Sequence, residues 1–172
     1  MRRVVLWGAP VLAVLIALGL YWFQPWKLFT SKTVNETAPV VVVAAPSSST
    51  SQPPPGAAVL VGQGTLITHE HATSGTAQLV RLPDGRLQLV LRDLSTSDGP
   101  DLHVWLTDQA VIEGSAGWRV FDDGRHVELG KLKGTKGTQV YDVPAGVTPD
   151  QLKSVTIWCV RFAVSFGAAS LS

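Results

Sequence analysis

One cysteine and four histidines are the residues of this chain best suited to redox or metal chemistry. Cys159 stands alone, so an intrachain disulfide cannot form. Its thiol then has four uses: inert packing, direct reactivity, an intermolecular bridge, or ligation of a metal or haem. Packing suits its place between Ile157 and Arg161 on one strand face, because cysteine behaves as a small apolar residue. His69 and His71 are two apart, and on an extended chain both point to one face, as paired metal ligands on strands do. An ordinary surface pair at a strand end is the competing reading. A copper centre of two histidines and a cysteine wants a weak axial ligand such as methionine, and the sole methionine is Met1. Covalent haem needs two cysteines followed by a histidine, which this chain cannot supply. Non-covalent haem on a Cys159 thiolate or a histidine stays open, and the identity of any cofactor is unknown at this stage.

Enzyme machinery is not evident. There is no Gly-x-Ser-x-Gly elbow, no phosphate-cradling loop and no His-Glu-x-x-His helix. Asp122 and Asp123 beside Gly124 read as turn formers. His103 and Trp105 alternate with Leu102, Val104 and Leu106, as the outer face of a strand would, and Trp118 and Phe121 read as closing the core. From Val59 onward, 10 Lys and Arg face 12 Asp and Glu, so the charge footprint of a nucleic-acid binder is missing.

The elements that must position these residues have a period of two. Leu87, Leu89 and Leu91 share one face while Arg86, Gln88 and Arg92 share the other. A strand over 76–82 precedes them, and Pro83-Asp84-Gly85 has the turn chemistry to join the two as a hairpin. Further strands are expected over 64–68, 102–106, 127–132, 139–143 and 155–166, with one brief helix over 148–152. Short strands at this spacing predict an all-β domain over 59–172, an antiparallel sandwich or barrel.

The chain before that domain reads differently. Val4 to Phe23 is 20 residues without a charge, matching a bilayer core of roughly 30 Å at about 1.5 Å per helical residue. Val4, Leu12, Leu15, Leu20 and Phe23 are the expected anchor positions within a segment spanning residues 1–29. Arg2 and Arg3 predict a cytoplasmic N-terminus, hence a single-pass plasma-membrane protein with its C-terminal domain extracytoplasmic and the bilayer as a partner. The length of the segment and its close on Tyr21, Trp22, Phe23 and Trp26 favour a retained anchor over a cleaved signal peptide. Residues 30–58, rich in serine and proline, read as a disordered linker containing an odd valine run at 40–43.

The closing run Trp158-Cys159-Val160-Arg161-Phe162-Ala163-Val164-Ser165-Phe166-Gly167-Ala168-Ala169-Ser170-Leu171 has the form W-C-x-x-F-x-V-x-F-G-x-A-x-L. It resembles the closing signature of the DM-thirteen electron-transfer domain family. Three more blocks agree in order: 71–77 (HATSGTA), 99–106 (GPDLHVWL), and 129–134 (LGKLKG) leading to 137–144 (GTQVYDVP). The resemblance covers nearly all of 59–172. It implies a compact β-rich extracytoplasmic domain, with Cys159 as a redox thiol or a ligand to a group such as haem. Of the histidines outside the 99–106 strand, His71 falls within a matched block and His69 does not, which makes His71 the second cofactor-binding candidate.

Two functions follow as expectations. The first is a tethered electron-transfer domain working through Cys159 with a redox or envelope protein partner. The second is a non-enzymatic β-sandwich that binds an envelope or surface partner, with Cys159 buried and inert.

Overall fold

In a computed structural model of the chain, residues 2–42 and 56–172 are described, with side chains described from residue 10 onward, Leu28 excepted. Helix α1 covers Arg2–Phe23 and carries Pro10 inside it. Among the described residues no helix is long and apolar enough to cross a membrane. This corrects the expected single-pass anchor and the topology built on it. Arg2 and Arg3 lie in the first turn of α1, and Pro10 removes a backbone donor from its interior. The anchor position Val4 lies outside the described side chains, whereas Leu12, Leu15, Leu20 and Phe23 are exposed.

A 3-10 turn, Pro25–Phe29, leads into eleven described strands: β1 (Thr33–Asn35), β2 (Val41–Val42), β3 (Ala58–Thr65), β4 (Ile67–Thr68), β5 (Ser74–Arg81), β6 (Leu87–Ser95), β7 (Leu102–Thr107), β8 (His126–Lys131), β9 (Lys136–Asp142), β10 (Ser154–Cys159) and β11 (Val164–Ser170). They form two sheets, ordered β1-β9-β6-β5-β3-β2 and β4-β11-β10-β7-β8, packed as a sandwich. The β5–β6 hairpin forms as its turn residues predict: Gly85 takes φ +86°, and the Asp84 carboxylate accepts from the Arg86 N–H at 3.0 Å. The brief helix near 148–152 is a 3-10 turn, Pro149–Gln151.

Pairing is antiparallel except at the edges of the first sheet, where β1 joins β9 and β2 joins β3 in parallel. These edges revise the linker expected over 30–58. Val80 and Val90 lie on the face of the first sheet opposite the main core, and Ala38 and Val41 pack over them. Glu36 fixes the strap further: its carboxylate accepts from Lys133 Nζ at 2.8 Å and from the Val140 N–H at 2.7 Å. The valine run is therefore partly an edge strand and cover. The serine–proline stretch itself, residues 43–55, lies outside the described residues.

The strand expected over 155–166 is two strands joined by a turn at 160–163. No glycine or proline marks this turn. Ala163 supplies the left-handed residue at φ +49°, a conformation that costs an alanine on the order of 1 kcal/mol. Arg119 donates to the carbonyls of Phe162 and Ala163, at 3.1 and 3.2 Å, and holds the turn in place.

Candidate functional site

β10 is buried along its whole length. Its alternation sends Val155, Ile157 and Cys159 into the main core between the sheets and Trp158 into a second cluster on the opposite face. Cys159 pairs across to Leu102 of β7 and Val164 of β11, and it is 0% exposed. Burial pushes its thiol pKa above the ordinary value. The backbone of Phe162, Asp101 and Arg161 offsets part of that push, and the nearby charge of Glu70 adds to it. The group is a buried thiol in an apolar core.

The turn after Cys159 borders a cavity of about 210 Å³ lined by Phe23, Lys27, Glu70, His71, Pro100 and Phe162, among others. His71 stacks on Phe166 with ring centroids 4.0 Å apart, and Phe162 stacks on Phe23 at 5.6 Å. Gly99 belongs to the same wall: a Cβ there would sit 2.9 Å from the Phe166 ring, so only glycine lets this loop approach so closely. The end of α1 roofs the cavity. Arg161 donates to the carbonyls of Tyr21 and Trp22 at 3.3 and 3.0 Å, and Lys27 Nζ donates to the Gly99 carbonyl at 2.9 Å.

The two histidines paired in sequence part company. Residues 69–71 are a bend and not an extended strand, so the rings do not share a face. His69 turns under the 108–125 segment, with Nδ1 2.8 Å from Ser165 Oγ and Nε2 3.1 Å from the Ile112 carbonyl. Thr156 Oγ1 donates to the same serine oxygen at 2.8 Å. Burial lowers the His69 pKa, so the ring is neutral at pH 7, donating to Ile112 and accepting from Ser165.

His103 and Trp105 do lie on the outer face of β7, but the 108–125 segment and β8 bury them. Trp105 is sandwiched between His126, at 3.9 Å, and Trp158, at 5.2 Å, while Phe121 meets Trp158 edge-on. His103 sits between two carboxylates: Nδ1 is 2.6 Å from Glu128 and Nε2 is 3.1 Å from Asp101. Asp101 also receives Lys131 at 3.3 Å. His103 and Lys131, with the burial cost opposing them, hold the Asp101 carboxyl below its usual range. Glu128 and Asp101 were missed in the sequence; the available signal was the strand pairing that sets β8 beside β7. Asp122 and Asp123 are exposed turn residues, as expected.

Do these residues fit a metal or haem? Among the described residues no group of three or more His, Cys, Asp or Glu is placed to hold a metal ion. Cys159 has no open face, His71 is committed to Phe166, and a cavity of about 210 Å³ falls below the roughly 300–1,000 Å³ of drug-sized ligand sites. The arrangement does not fit haem on Cys159 or His71.

The described strands form a small β-sandwich in which Cys159 closes the next-to-last strand. The model of the family described as Electron transfer DM13 matches residues 65–171, well over half of the chain, and the chain belongs to that family. No curated protein and no solved structure gives a significant match.

Proposed function

We propose that this electron-transfer domain works by thiol–disulfide exchange at Cys159. The observation that supports the reading is the position of the lone cysteine as the last residue of β10, directly before the 160–163 turn that borders the roofed cavity. The thiolate is the attacking form in exchange. The Cys159 thiolate attacks one sulfur of a disulfide on a partner protein. That S–S bond breaks, a bond from Cys159 to the attacked sulfur forms, and the departing sulfur leaves as a thiolate that takes up the proton Cys159 gave up. Cys159 is thereby oxidised and one partner sulfur reduced. Because the sulfur is fully buried at rest, exchange proceeds through local opening of the 160–163 turn.

The test uses oxidised glutathione on the reduced full chain. A mixed disulfide on Cys159, formed while the near-ultraviolet circular dichroism stays native and absent in Cys159→Ser, is expected. A chain modified only where it unfolds overturns the reading.

A second reading is favoured by one observation: burial is the largest influence on the thiol. On that reading the domain is a binding module for a surface or envelope partner, and Cys159 is core packing. Cys159→Val would then fold and function as the unaltered chain does; retained folding with lost function counts against it.

A further inference from the structure

Three stretches far apart in the sequence meet at the roofed cavity: His71 from the 71–77 block, Gly99 and Pro100 from the 99–106 block, and Phe162 and Phe166 from the closing block. Exchange at Cys159 uses none of these rings. Their convergence therefore calls for a use of its own, and size and charge specify one. An engineered apolar cavity of about 150 Å³ holds benzene, whereas drug-sized ligands need upwards of about 300 Å³. At about 210 Å³ this cavity suits one ring with a small substituent. Its walls carry ring faces and a proline from the domain, plus Phe23 from the end of α1.

The charges that line it are Lys27, Glu70 and Asp98. Lys27 is already committed to the Gly99 carbonyl at 2.9 Å and to Asp98 at 3.8 Å, which leaves the Glu70 carboxylate as the acceptor facing an incoming group. His71 Nε2 stands 3.8 Å from Glu70. A net carboxylate lining rejects anions and favours a hydroxyl donor or a cation. The roof is held by exposed contacts, Arg161 to the Tyr21 and Trp22 carbonyls and the Thr30 hydroxyl to Asp98 at 2.7 Å, and by the part-buried Lys27–Gly99 hydrogen bond and the Phe23–Phe162 stack.

We propose that this cavity binds a single-ring aromatic molecule that is neutral or cationic, seated against the Phe23–Phe162 and His71–Phe166 stacks with its polar group at Glu70. The proposal goes beyond the exchange reading and does not depend on it. Its test is a titration of the full chain, labelled for amide nuclear magnetic resonance, with phenol and with benzoate. Phenol is expected to shift the amides of residues 71, 99, 162 and 166 and to saturate in the millimolar range, as few heavy atoms allow. Benzoate, of similar size but anionic, is expected to bind markedly more weakly. Phe162→Leu, which keeps bulk and removes the ring face, is expected to weaken phenol about three- to tenfold. Cys159→Ser is expected to bind phenol as the unaltered chain does, which separates this site from thiol exchange. The proposal is overturned if phenol shifts none of these amides, if benzoate binds equally well, or if Phe162→Leu leaves phenol binding unchanged. Should Phe162→Leu fail to fold, His71→Leu replaces it under the same criterion.

Discussion

The two faces of the β7–β10 strand pair are both buried, yet they are built from different chemistry. On the inner face Leu102, Val104, Leu106, Val155 and Ile157 make an ordinary sandwich core in which Cys159 is the one residue with a reactive atom. On the outer face, under the 108–125 segment, lie His103, Trp105, Thr107, Ser154, Thr156 and Trp158, with His69 and Ser165 beside them. The inner face is held by area alone. The outer face combines aromatic stacking with buried hydrogen bonds, each costing about 1–3 kcal/mol if unmade, and among its described atoms the buried Trp105 indole N–H has no partner. The lone cysteine is therefore on the chemically plainer side, packed among apolar side chains.

The largest test of this contrast compares neighbours. Trp158→Ala empties the middle of the outer cluster and is expected to cost about 3–5 kcal/mol, a large share of the about 5–15 kcal/mol that holds a typical domain folded. Cys159→Ala removes one sulfur from the inner face and is expected to cost about 1 kcal/mol. Urea midpoints measure both. A Cys159→Ala cost near that of Trp158→Ala would show that the inner face depends on its thiol for more than filling space.

His103→Gln comes next. It removes the ring that separates the Asp101 and Glu128 carboxylates and leaves them facing each other. A loss of about 1–2 kcal/mol is expected, moderated because Glu128 is half exposed, and restored in part by adding Glu128→Gln. No recovery in the double variant would mean that the ring acts by packing and not by bridging charge.

These outcomes bear on what the sequence could reveal. Period two placed Ile157, Cys159 and Arg161 on one strand face and His103 and Trp105 on the outer face of another strand; the structure keeps these faces except for Arg161, which falls in the 160–163 turn. It could not reveal that the second face is also covered, since the cover is an irregular segment, 108–125, with no periodicity to read. Val90 carried the matching signal in the first sheet: an apolar residue on the face given to Gln88 and Arg92, explained by Ala38 and Val41 above it. The 160–163 turn was hidden because Ala163 occupies a position usually marked by glycine. The shared face of His69 and His71 failed on one premise, extended backbone, and the family blocks had already separated the two. The apolar run at the start was read from its length and lack of charge, and the finding that no described helix is long and apolar enough to cross a membrane overturned that reading.

The outer face is also expected to respond to acid. Burial lowers the His69 pKa below its ordinary value of 6.5, so the folded chain binds fewer protons there than the unfolded chain does. Stability therefore rises with pH through this region. The His69 contribution is complete above about pH 6.5 and is lost as the pH falls below it, until the depressed folded value is reached. Urea midpoints from about pH 7.5 down to pH 5 check this, against a His69→Gln variant whose profile should be flatter. Equal slopes in both chains would mean that His69 is not the group titrating in this range.

The smallest expected change in stability lies at the roof over the inner face. Arg161→Ala removes two hydrogen bonds to the end of α1 and the guanidinium over Trp22, all at exposed positions, and should cost no more than about 0.5 kcal/mol. Its effect on Cys159 should be larger than its effect on the fold. If the sulfur is reached by local opening of the roof and the 160–163 turn, alkylation by iodoacetamide speeds up in Arg161→Ala. The rate then depends only weakly on urea, because little surface is exposed in the opening. If the sulfur is reached only by unfolding the sandwich, the rate follows global stability, with the full urea dependence, and Arg161→Ala changes it by no more than its small stability cost allows. The first result makes the inner face a guarded site. The second makes it a core, in which Cys159 only fills space in the resting fold.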